Sequence, residues 1–97
     1  TLVSRMQNLA LDAIENLYRA NDVYISDVNR QQAREKRLEL QHSALTSIKL
    51  LAYMALLARE QGCILPKQYE QITKLSSDCQ NMTGAWLNSD RKRMHSK

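Results

Sequence analysis

Met6, Leu9, Ala13, Leu17 and Ala20 recur at intervals of three and four residues, and Ala10, Ile14 and Val23 widen the stripe. That period predicts an amphipathic helix over residues 2–21 with one buried face. Ser4 and Gln7 have the spacing of a capping box. The stretch "NDVYISDVN" breaks the pattern, because Asn, Asp and Ser bond to nearby backbone and favour caps and turns. Ser26 or Asp27 is the expected N-cap of the next helix. That long second helix is predicted over residues 29–61, closed by Gly62 in the left-handed conformation. Its halves differ. "NRQQAREKRLEL" is nearly all polar and is expected to fray, kink or need another chain, whereas "ALTSIKLLAYMALLA" is apolar around most of its circumference. Pro66 suits a helical first turn, where its missing N–H costs nothing. A third helix is predicted over residues 66–89. Tyr69, Ile72, Ser76, Cys79, Thr83 and Trp86 lie along one stripe, flanked by Leu75 and Met82. Gly84 in mid-helix costs about 1 kcal/mol relative to alanine, which close approach of a neighbouring backbone would justify.

Three such helices in 97 residues predict one all-α domain spanning residues 1–97, an antiparallel up-down helical bundle. Two glycines, one proline and no phenylalanine leave little turn or strand chemistry to compete with it. Burial of apolar area should barely exceed chain entropy at this length, so a further helix upstream of Thr1, oligomerisation, or both are expected. The chain does not begin with methionine, and it is expected to be part of a longer protein.

Charge changes the picture more than composition does. The formal net charge is +4, which favours acidic partners. Arg30, Arg34 and Arg37 share one face of the long helix, with Lys36 beside them and Glu35 and Glu39 interleaved. A solvated face with weak local ion pairs is the plain alternative. Arg91, Lys92, Arg93 and Lys97 form a less compensated basic tail over residues 90–97, near only Asp90. The helix dipole accounts for one or two of these cations, not four. Lys49 interrupts an apolar run and either snorkels to the bundle edge or faces a polar channel of an oligomer.

Catalytic chemistry is missing. His42 and His95 are far apart. His42 reads as a half-buried packing histidine, and His95 falls in a tail expected to be mobile. No phosphate loop or metal-ligand spacing occurs, so no enzyme activity, metal or cofactor is expected. Cys63 and Cys79 do not make a disulfide framework, Cys79 falls on an apolar side, and a reducing cytoplasm suits both. No run approaches the ~20 apolar residues needed to span a bilayer, so no membrane role is expected.

Residues 44–92, "ALTSIKLLAYMALLAREQGCILPKQYEQITKLSSDCQNMTGAWLNSDRK", resemble the last two helices of the four-helix-bundle proteins first noted as products of intervening sequences in bacterial 23S rRNA genes. Within that family they are most similar to the accessory variability determinant proteins of diversity-generating retroelements. The likeness rests on a Leu-rich helix carrying Lys49, the helix-ending Gly62, Tyr69 early in the next helix, and "GAW" followed by "RK". "SRMQNLALDAIENLYRAN" is similar to the preceding helix, and the family's first helix would then lie before Thr1. The resemblance implies a non-catalytic accessory protein, bacterial or phage, that forms a homopentamer of four-helix bundles. It implies binding to a reverse transcriptase and its template RNA in support of mutagenic retrohoming; the same charge would suit DNA. Lys49, Arg91 and Lys92 match basic positions of the family and are the expected contacts, with Arg93 beside them. Arg30, Arg34 and Arg37 rest on spacing and charge alone. Trp86 matches a packing aromatic. The wider family also offers an oligomeric helical scaffold with no nucleic-acid role.

Overall fold

The computed structural model describes residues 1–25 and 28–95, without the side chains of residues 94 and 95. It contains three helices: α1 (Leu2–Asn21), α2 (Arg30–Glu60) and α3 (Pro66–His95). Among the described residues there is no strand.

Each boundary has a local cause. Thr1 caps α1, its hydroxyl accepting from the Ser4 N–H at 3.1 Å. The cap therefore sits three residues before the expected Ser4, which is already inside the first turn. Asn29 occupies the N-cap position of α2; the expected caps Ser26 and Asp27 lie outside the described residues. Gly62 has φ +73. The N–H groups of Gly62 and Cys63 bond back to the carbonyls of Arg59 (3.0 Å) and Ala58 (2.8 Å). That pair of bonds is a Schellman motif, and it ends α2 where the sequence places the glycine. Pro66 opens α3, and Gln68 Oε1 accepts from the Leu65 N–H at 2.8 Å, satisfying one donor that the helix start leaves over. α3 continues through residues 90–95 to His95, so the expected basic tail is largely helical; Lys97 lies outside the described residues.

α2 is the centre. Both α1 and α3 pack on it, while Cα atoms of α1 and α3 stay more than 8 Å from each other among the described residues. Met6 near the start of α1 packs with Ala55 and Ala58 near the end of α2, and Tyr69 near the start of α3 lies under Arg59. At the opposite end of the molecule the start of α2 meets the end of α3. The extents are 52 × 21 × 14 Å. A closed triangle of helices 8–10 Å apart would be about as wide as thick, so these three form an open V.

The V explains an unusual core. Among the described residues, six of the ten buried apolar side chains are alanines, and the largest fully buried side chain is the polar Gln41. Ile14, Leu75 and Met82, all from apolar stripes, remain exposed. Each outer helix is covered on one side only, and the other side borders a trough. Its floor and walls include Ala10, Ala13, Leu17, Ile48, Leu51 and Ile72. Cys79 reaches this trough but is exposed rather than buried. Gly84 does not mark a close approach: a Cβ there would meet nothing within 4 Å.

Candidate functional site

Two short ladders meet where the start of α2 lies beside the end of α3. Arg34, Arg37 and Gln41 are spaced at three and four residues, and Trp86, Asp90 and Arg93 at four and three. Such spacings stack side chains along one face of each helix. The two faces interlock at Asp90, whose side chain is 11% exposed. Its Oδ2 accepts from Arg37 Nε at 2.6 Å and from Gln41 Nε2 at 2.8 Å. Arg93 Nη1 lies 3.7 Å from Oδ1. The Arg37 guanidinium also stands over the Trp86 ring, 4.9 Å from its centroid, a cation–π distance. Gln41 Oε1 is buried without a partner. The polar half of α2 is thus held by α3 within the same chain, which corrects the expectation that it would fray, kink or need another chain.

Arg34 Nη1 donates to the main-chain oxygen of Arg93 at 3.0 Å, satisfying a carbonyl near the end of α3. Arg91 Nη2 lies 3.0 Å from His42 Nε2. A guanidinium has donors only, so in this contact Arg91 donates and His42 Nε2 accepts. His42 is exposed, not the half-buried packing residue expected.

The sequence-derived candidates therefore divide. Arg34, Arg37, Arg91 and Arg93 come together at this end. Arg37 is largely committed to Asp90, which reduces its availability to any other anion. Arg30 is exposed on the first turn of α2, and Lys92 is exposed on α3. Lys49 is exposed as well. It follows His42 by seven residues, so it lies on the same side of α2, about 10 Å farther along the axis. It joins the edge of the cluster. Asp90, Gln41 and His42 were not among the sequence-derived site residues. The matching ladders on the two helices carried the signal for the first two; His42 left none beyond its place one turn after Leu38.

The electrostatics are concentrated here. Residues 30–39 and 90–93 hold seven Lys and Arg against three Asp and Glu, an excess of four that equals the net charge of the whole chain. Everything else balances to zero. On a body 52 Å long, one end carries the entire surplus, and a polyanion meeting the molecule is drawn there first. Among the described residues no group of three or more His, Cys, Asp or Glu is placed to hold a metal ion. No described helix is long and apolar enough to cross a membrane.

Comparison with protein-family models, with characterised proteins and with solved structures finds no match to this chain.

Proposed function

We propose that this chain is a non-catalytic, nucleic-acid-binding accessory protein, of the kind its resemblance to the accessory variability determinant proteins implies. In that reading it binds a reverse transcriptase and its template RNA, as a homopentamer of antiparallel four-helix bundles. The observation that carries the proposal is the gathering of the chain's whole net charge of +4 where α2 begins and α3 ends. Arg91, Lys92 and Arg93 are exposed there, and Lys49 extends the surface along α2. The pairings of Met6 with Ala55 and of Arg37 with Asp90 support helices running in alternating directions. The open V, with its uncovered apolar side chains, supports completion of the fold by more polypeptide.

The competing reading, an oligomeric helical scaffold without a nucleic-acid role, draws on one observation: Asp90 holds Arg37 in a mostly buried pair. Binding to single-stranded RNA, measured across a salt series, separates the two. The accessory-protein reading requires affinity that falls steeply with salt, with a shallower slope once Arg91, Lys92 and Arg93 are all changed to alanine. Absence of RNA binding at low salt, or a slope unchanged in the triple variant, leaves the scaffold.

A further inference from the structure

A small cavity of about 90 Å³ opens within the basic end, lined by Ile25, Arg34, Arg37, Leu38, Asp90 and Arg93. Three of the six are arginines and one is an acid. Each guanidinium offers five N–H donors. Arg37 commits its Nε to Asp90 and its face to Trp86, which fixes the fork and leaves both Nη groups. Arg34 commits Nη1 to the Arg93 carbonyl, leaving Nη2 and Nε. Arg93 stands 3.7 Å from Asp90, too far for a hydrogen bond, and its side chain is 70% exposed. Asp90 faces the cavity but is occupied, since its Oδ2 already takes two donors. The lining thus has donors in excess and a charge of about +2 beside two aliphatic walls that lower the local dielectric.

We infer that this cavity is a seat for one phosphate group, gripped by Arg34, Arg37 and Arg93, with Asp90 a positioning residue that holds Arg37 in place. The volume is about that of three water molecules, enough for one tetrahedral oxyanion and too small for a sugar or a base. Arginine forks match such an anion with paired, charge-assisted bonds. Arg93 is the arm free to swing from Asp90 to the ligand. The inference rests on the reading that this end of the molecule meets a polyanion, and it narrows that reading to one built contact. The phosphate can be an internal phosphodiester or the terminal phosphate of a strand.

Trp86 is the only tryptophan and lies under Arg37, so its fluorescence reports on the cavity. The full chain is titrated with inorganic phosphate at constant ionic strength, with chloride as the control. It is then titrated with one RNA oligonucleotide bearing either a 5′-phosphate or a 5′-hydroxyl. Phosphate should change the emission saturably where chloride does not. Arg93→Ala and Arg34→Ala should each weaken phosphate about tenfold, and Lys67→Ala, on the exposed first turn of α3 at the opposite end of the molecule, should leave it unchanged. Arg37 is left intact because its loss strands Asp90 and disturbs the fold; circular dichroism confirms that the variants used remain helical. A preference of about tenfold for the 5′-phosphorylated strand assigns the cavity to a strand end, and equal affinity, with inorganic phosphate competing, assigns it to the backbone. RNA binding with no saturable phosphate effect, or a phosphate effect surviving the Arg34→Ala, Arg93→Ala double variant, overturns the inference. A phosphate effect without any RNA binding upholds the cavity and overturns the nucleic-acid reading instead.

Discussion

Replacing Asp90 with alanine tests the interlock on which the basic end depends. Asp90 is 11% exposed and Arg37 20%, so neither partner is free to recover its full hydration when the other is removed. The substitution deletes two bonds, from Arg37 Nε and Gln41 Nε2. It leaves a half-buried guanidinium and a fully buried amide without acceptors. Bonds to charged groups contribute about 1.5–3 kcal/mol each, and breaking a buried pair costs about 3–5 kcal/mol. Residual exposure of Arg37 and its contact with Trp86 place the expected loss near the lower bound, about 3 kcal/mol. That is a large share of the ~5–15 kcal/mol total typical of a domain this size. Urea unfolding followed by far-ultraviolet circular dichroism reads it as a lower midpoint at unchanged slope. Asp90→Asn, which keeps a carbonyl acceptor, should lose about half as much. Pairing Asp90→Leu with Arg37→Met should be less harmful than Asp90→Ala alone, because no orphaned charge remains. A loss below about 1 kcal/mol for Asp90→Ala would place the pair among ordinary solvated ion pairs, and the account of why α2 holds together at its polar start would be wrong.

The two glycines should respond in opposite ways. Gly84→Ala should stabilise by about 1 kcal/mol in the same assay, since a Cβ meets nothing within 4 Å and alanine is the better helix former. Gly62→Ala should cost about 1–2 kcal/mol, because φ +73 lies in the region where a Cβ clashes with backbone. The trough between α1 and α3 should bind a solvatochromic apolar dye, and the Ile14→Gln, Leu75→Gln double variant, at lining positions 52% and 64% exposed, should reduce both that signal and any concentration-dependent sedimentation. Absence of dye binding would show that the trough is closed in solution, and binding unchanged in the variant would place the dye elsewhere.

Helix type and most boundaries were legible because their determinants are local. The period of three and four in α1, the proline opening α3 and the glycine ending α2 act within a turn or two of the chain. The end of α3 was not legible. The sequence predicts an end at residue 89, yet the helix continues to His95, held there by the bond from Arg37 to Asp90 and by Arg34, which satisfies a carbonyl near its end. Those contacts bridge more than fifty residues. Burial failed for a related reason. The stripes correctly marked Ser76 and Thr83 as inward, but Leu75, Met82 and Ile14 also read as core and are exposed. Periodicity states which side of a helix is apolar, not how much of that side a neighbour covers. Leu87, 3% exposed, was overlooked beside Trp86. At the basic end the charges were visible one by one. That they converge, with Asp90 as their common acceptor, depends on two distant helices lying side by side.

Charge and apolar surface are separated on this molecule, and the separation has a measurable consequence. The trough runs along α1 and the first half of α3, whereas the surplus cations lie where α2 starts and α3 ends. Association through the trough would therefore leave the basic ends uncovered and bring several of them into one assembly. The basic end of a single chain holds seven Lys and Arg, with Lys49 beside them. Each phosphate neutralised on single-stranded nucleic acid contributes about 0.7 to the logarithmic salt slope, so one chain can account for a slope of about 5.6 at most. A measured slope well above about 6 for a short RNA requires more than one chain on the same strand, and affinity should then rise far more than in proportion to the number of sites. A slope at or below that ceiling, together with a single sedimenting species of monomer mass, would refute a multivalent basic surface and leave each chain acting alone.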